Sequence, residues 1–124
     1  MSLKILIVDD SQSNLFSLEA LIDENLDDVE VLQAMSGKLA LEILQKDTVD
    51  VIILDIQMPE MDGYQTAQII REQKSTQNVP IIFITAAYDS DEFQKKGIAI
   101  EMMDYLTKPF EPEKLINILK SHIS

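Results

Sequence analysis

Four apolar runs in this sequence each lead directly into a side chain suited to phosphoryl chemistry. Lys4–Val8 leads into Asp9 and Asp10, Val51–Leu54 into Asp55, Pro80–Ile84 into Thr85, and Tyr105–Thr107 into Lys108. A carboxylate can ligate a hard cation or attack phosphorus, a hydroxyl can donate to a phosphoryl oxygen, and an ammonium can neutralise it. If the four runs are parallel strands of one sheet, these side chains gather along its carboxyl edge. That edge is where open α/β sheets bind ligands.

The charges of this set constrain its chemistry. Three carboxylates crowded together repel one another and cannot all stay ionised without a cation. Mg²⁺ answers this need: it takes oxygen ligands and typically sits between one or two carboxylates, waters and a phosphate. The three aspartates, one such cation and Lys108 sum to zero formal charge. Turning Asp55 into an acyl phosphate exchanges one negative charge for roughly two. The set is thus poised to bind or carry one phosphoryl group, with Thr85 and Lys108 as donors to its oxygens.

Taken singly, the residues have plainer readings. The Asp9-Asp10 pair alone fits a helix cap slightly better than a metal site, Thr85 is a good strand former, and Lys108-Pro109 has no specificity. Met58 and Met61 read as packing residues. His122 reads as a surface residue near the end of the last helix, where the helix dipole favours it. The coincidence of all the candidates at strand ends on one edge outweighs these separate readings.

The elements that must position them alternate between strand-like and helix-like segments, the pattern of βαβ units around a parallel sheet. Strands are expected at Lys4–Val8, Val29–Ala34, Val51–Leu54, Pro80–Ile84 and Tyr105–Thr107. Helices are expected at Ser13–Glu24, with Leu15, Leu18 and Ile22 on one face, at Lys38–Gln45 after a turn at Gly37, and at Tyr64–Gln73 behind an Asp62 cap. A further helix starts near Asp89 or Ser90 and fades around Lys96-Gly97. The last follows Pro112 and carries Leu115, Leu119 and Ile123 on one face. Val51–Leu54 and Pro80–Ile84 are apolar on both faces, as central parallel strands are. The alternating Val29–Ala34 and the short Tyr105–Thr107 belong at the edges. With right-handed crossovers, this gives a doubly wound, flavodoxin-like α/β fold of five βα units with strand order 2-1-3-4-5.

At 124 residues and 46% apolar content, the chain is expected to be a single domain over residues 1–124, with no output domain. It has no cysteine, which removes disulfides, thiolate zinc sites and thiol redox chemistry, and fits a cytoplasmic protein. The N-terminus is too short and too soon charged for a signal peptide, and no apolar stretch is long enough to span a bilayer. A formal charge of −12 argues against direct binding to nucleic acid or anionic membrane. The acidic stretch from Glu19 to Glu30 reads as a solvated helix face and loop.

Four motifs now sharpen the reading. Ile7-Val8-Asp9-Asp10, the run Leu54-Asp55-Ile56-Gln57-Met58-Pro59-Glu60-Met61-Asp62-Gly63, Ile84-Thr85-Ala86, and Asp104-Tyr105-Leu106-Thr107-Lys108-Pro109-Phe110 together resemble the receiver domain of two-component response regulators. The resemblance covers nearly the whole chain, with the motifs in order. It implies that Asp55 is the phosphoacceptor, attacking a phosphohistidine or a small phosphodonor. It implies that Mg²⁺ is held by Asp10, Asp55 and the backbone carbonyl of Gln57, with Asp9 acting mainly through bound water. Thr85 and Lys108 would bind the phosphoryl oxygens, Thr85 and Tyr105 would form the switch, and the Lys108–Pro109 bond would be cis. Asp62-Gly63 would shape the loop into the following helix.

The implied partners are a sensor histidine kinase or phosphotransfer protein upstream and an output domain or protein downstream. The chain would not be an enzyme beyond its own phosphorylation and slow self-dephosphorylation. Two alternatives are an interaction module that signals without phosphorylation and an aspartate-nucleophile phosphatase. The phosphatase needs a second aspartate two residues past the nucleophile as general acid, where this chain has Gln57.

One segment departs from the family pattern. Receivers usually carry Gly-Ala shortly before the Asp-Tyr of the last strand; here those positions read Glu101-Met102. The nearest glycine is Gly97, so the helix before it is expected to end there and Ile98–Met103 to take an altered path. Gln57 and Ala87 flank the expected path of attacking water, and the small Ala86 would leave the phosphoryl group open to a partner.

Overall fold

The computed structural model describes residues 3–55, 63–85, 104–107 and 112–123. Within them the elements run β1 (Leu3–Val8), α1 (Gln12–Asn25), β2 (Val29–Ala34), α2 (Gly37–Lys46), β3 (Val51–Asp55), α3 (Gly63–Glu72), β4 (Ile81–Thr85), β5 (Asp104–Thr107) and α4 (Pro112–Ile123). The strands form one parallel sheet in the order β2-β1-β3-β4-β5, as the apolar patterning requires. The fold is a flavodoxin-like α/β fold. The helix expected from Asp89 to Gly97, the altered path of Ile98–Met103, the Asp62 cap and the cis Lys108–Pro109 bond lie outside the described residues.

Period-two alternation in the strands builds two cores. Leu6 and Val8 of β1, Ile52 and Leu54 of β3, and Ile81 and Phe83 of β4 pack with Ala40, Leu44, Ala67 and Ile70 from α2 and α3. The intervening residues Ile5, Ile7, Val51, Ile53, Ile82 and Ile84 face the other way, onto Leu15, Leu18 and Ile22 of α1 and Leu115 and Leu119 of α4. Each such aliphatic side chain contributes about 1.5–3 kcal/mol on burial, and a one-residue slip would turn both faces inside out. β3 is buried at every residue. The outer strand β2 is less covered: only Ala34 is buried, Glu30 and Gln33 are exposed and the rest are half-buried, matching its place at an edge.

The boundaries of α1, α2 and α3 fall one residue from expectation, and two caps explain the starts of α1 and α2. α1 starts at Gln12 because Ser11 is the cap: its Oγ accepts the Asn14 N–H at 3.3 Å. Gly37 does not mark a turn; it is the buried first residue of α2, capped by Ser36, whose Oγ accepts the Leu39 N–H at 3.1 Å. The connection from α3 to β4 is held by Arg71, whose Nη1 donates to the carbonyls of Thr76, Gln77 and Val79 at 3.4, 3.1 and 2.6 Å. That fixes where β4 begins, and with it the level at which Thr85 ends the strand.

The acidic stretch is largely solvated, as read from the sequence, with Asp23, Glu24, Asp27, Asp28 and Glu30 exposed. Glu19 differs, being half-buried and accepting from Gln33 Nε2 of β2 at 2.8 Å. Asp28 takes a left-handed φ of 54°, which Asp tolerates better than most residues, and its carbonyl accepts the Leu3 N–H at 2.8 Å. At the amino edge of the sheet, Lys4 Nζ lies 3.0 Å from Asp47 and 3.6 Å from Glu30. The Lys4 N–H donates to Asp50 Oδ2 and the Asp50 N–H to the Lys4 carbonyl, both at 2.8 Å. No helix among the described residues is long and apolar enough to cross a membrane.

Candidate functional site

Strand register brings the acidic residues together. Val8 pairs with Leu54 across β1 and β3, so the next residues, Asp9 and Asp55, end neighbouring strands at one level. In parallel strands, paired residues point to the same face and the next pair to the opposite one. Val8 and Leu54 face α2 and α3, so Asp9 and Asp55 turn together toward the side of α1. Asp10 follows immediately, where β1 gives way to α1.

Asp9 is tightly held. Its N–H donates to the Ala34 carbonyl at 3.1 Å, its Oδ1 accepts the Ser11 N–H at 2.9 Å, and its Oδ2 accepts Asn14 Nδ2 at 3.3 Å. The cap of α1 is Ser11, not either aspartate. Asp9 instead takes the N–H of the cap residue itself, against the positive end of the helix dipole. Asp9 is 2% exposed and Asp55 4%, whereas Asp10 is open to solvent.

One carboxylate oxygen from each of Asp9, Asp10 and Asp55 lies within 4.8 Å of the others. Two of the three are buried, and burial of carboxylates is costly unless hydrogen bonds and opposite charge offset it. Every atom offered is a hard oxygen, the donor type that Mg²⁺ and Ca²⁺ prefer. The span is also close to that of an octahedral ion, whose opposed oxygen ligands at about 2.1 Å each stand roughly 4.2 Å apart. The residues therefore fit a small divalent cation.

The remaining candidates are placed in part. Asp55 pairs with Ile84, so Thr85 stands one residue further along β4 than Asp55 does along β3. Thr85 pairs with Thr107, which puts the last residue of β5 on the same edge. Tyr105 lies within β5, paired with Phe83. The side chains of Thr85, Tyr105 and His122, and the whole of Gln57, Met58, Met61, Ala86, Ala87 and Lys108, lie outside the described residues. Two residues at the site were not read from the sequence: Ser11 and Asn14, which both donate to Asp9. The available signal was a serine followed at the third helical position by an amide, immediately after the aspartate pair.

Comparison with known proteins agrees with this geometry. The family model described as the response regulator receiver domain matches residues 5–120. Response regulator PleD of Caulobacter vibrioides is 35% identical over 121 residues, covering 98% of this chain but 26% of its own length. The chain thus spans about a quarter of that relative. Chemotaxis protein CheY4 of Vibrio cholerae superposes with a TM-score of 0.90 at 33% identity, covering 99% of this chain and 100% of that one. The receiver domain of the sensor histidine kinase PA1611 of Pseudomonas aeruginosa, solved with a magnesium ion coordinated in its active-site cleft, superposes with a TM-score of 0.87. It is 30% identical, with 99% of this chain and 98% of that one covered.

Proposed function

The chain belongs to the response regulator receiver domain family of two-component signalling, and from that premise we propose that Asp55 is its phosphoacceptor. An Asp55 carboxylate oxygen attacks the phosphorus of a phosphohistidine or small phosphodonor. The new O–P bond forms as the bond to the donor breaks, and the donor's leaving group takes up a proton. Asp10 and Asp55, with the Gln57 carbonyl, would hold Mg²⁺, and Asp9 would act on it mainly through water. Bound Mg²⁺ supplies positive charge against the phosphoryl oxygens. Thr85 and Lys108 donate to those oxygens, and water later releases the phosphoryl group slowly.

The observation that carries this reading is the convergence of Asp9, Asp10 and Asp55 from neighbouring strand ends, two of them buried. With the nucleophile supplied by Asp55, positioning and charge neutralisation do the rest of the work in phosphoryl transfer. Signalling follows if the phosphoryl group favours one of two conformations through Thr85 and Tyr105. The exchange is set in the cytoplasm, with a sensor histidine kinase or phosphotransfer protein as donor and an output domain or protein reading the switched surface.

The test is incubation with acetyl phosphate and Mg²⁺, read by intact mass. Wild type gains one phosphoryl group and Asp55→Asn gains none. Equal modification of Asp55→Asn overturns the assignment. A wild-type chain that takes up no phosphoryl group would leave an interaction module acting without phosphorylation.

A further inference from the structure

The first turn of α1 carries no acidic residue, and the same holds for α2 and α3. The third helical residue of α1, counted from the Ser11 cap, is Asn14. In a capping box that position holds Glu or Gln, whose side chain reaches back to the N–H of the cap residue. Here Asp9 Oδ1 already accepts the Ser11 N–H, and the Asn14 side chain reaches past it to Asp9 Oδ2.

A carboxylate only accepts, so Asn14 must present its Nδ2 to Asp9. Asp or Glu at this position would set a fourth negative charge against the three already gathered. An apolar residue would remove the donor. Asn is also a poorer helix former than Ala, so helix propensity does not account for its presence.

We propose that Asn14 is a positioning residue for the cation site. Its amide and the Ser11 N–H grip one oxygen each of Asp9, and together they stop the carboxylate swinging about its Cβ–Cγ bond. The backbone of Asp9 is fixed independently by its bond to Ala34. The carboxylate is therefore set in one orientation toward Asp10 and Asp55 before any cation arrives. The inference rests on the proposed reading of these aspartates as a Mg²⁺ site, and it concerns cation affinity rather than the transfer step.

Calorimetric titration with MgCl₂ tests it on wild type, Asn14→Ala and Asn14→Gln. Partners that orient metal ligands typically contribute 10- to 100-fold in affinity. Asn14 is solvent-exposed and its bond is long, so Asn14→Ala is expected to raise the Mg²⁺ Kd about 10-fold, the low end of that range. Asn14→Gln keeps an amide donor and is expected to stay within about threefold of wild type. With acetyl phosphate, the half-saturating Mg²⁺ for Asn14→Ala should rise by the same factor, while the rate at saturating Mg²⁺ stays within about twofold. Its cation-free Tm should not fall, because Ala favours the helix and the bond to Ser11 Oγ comes from the residue-14 backbone. An unchanged Kd in Asn14→Ala, where wild type binds Mg²⁺, overturns the positioning role alone. So does a raised Kd that follows a loss of Tm, or one that Asn14→Gln does not restore. Failure of wild type to bind Mg²⁺ overturns both this inference and the cation site.

Discussion

The two edges of the sheet each collect carboxylates, but they do so in opposite ways. At the amino edge, Glu30, Asp47 and Asp50 surround Lys4, which meets the first two through its ammonium and the third through its backbone N–H. All three acids are open to water, where charge is screened and an ion pair contributes little. At the carboxyl edge, Asp9, Asp10 and Asp55 converge on one another, and two of them are shut away from solvent. Water can offset the first cluster; the second needs charge and hydrogen bonds supplied in place. Acidic residues thus mark a site only where burial and convergence coincide. By that measure the Lys4 cluster is surface structure, and the Asp55 cluster is the one whose residues fit a cation.

Mg²⁺ titration of one charge-removing variant from each edge puts this contrast at greatest risk. Asp10→Asn is expected to weaken binding by at least about 10-fold, because it removes a carboxylate from the converging set. Asp47→Asn removes the same unit of charge from the same molecule and should leave the Kd within about twofold, since screening separates exposed charges beyond roughly 10 Å. Equal weakening in both variants would mean that the chain's overall charge of −12 attracts the cation and that the carboxyl edge has no special claim to it.

The sequence made the carboxyl edge legible and the amino edge nearly invisible, for a physical reason. Continuous apolar runs such as Val51–Leu54 declare buried strands, and in a parallel sheet the residue after each run must fall on the same edge. Asp9, Asp55 and Thr85 were therefore placed by pattern alone, as was the strand order. Lys4, Asp47 and Asp50 are brought together by side-chain reach and by the register between strands, which no local pattern encodes. The donors to Asp9 were hidden differently. Ser11 and Asn14 look like ordinary helix-start residues, and only the direction of the Asn14 amide shows that it serves the preceding strand. Gly37 was misread because glycine signals a turn in sequence, while here it is buried in the first turn of α2 and Ser36 does the capping.

The smallest expected effect comes from breaking the amino-edge cluster itself. The hydrogen bond and charge of Asp47 hold the Lys4 ammonium above the usual lysine value near 10.5, burial opposes them, and Glu30 adds a lesser push. A group raised in the folded state stabilises fully below its unfolded pKa, and that contribution is lost as pH rises through the folded value. Lys4→Met should therefore lower Tm by no more than about 3 °C at neutral pH, as exposed ion pairs do in domains of this size. The difference from wild type should stay flat up to about pH 10 and shrink above it. It should also shrink in high salt, because the acids facing Lys4 are solvent-exposed. A much larger loss, or one that grows with pH, would show that the lysine side chain supports the edge by packing or as a buried charge. The two edges would then be closer in kind than their exposure indicates.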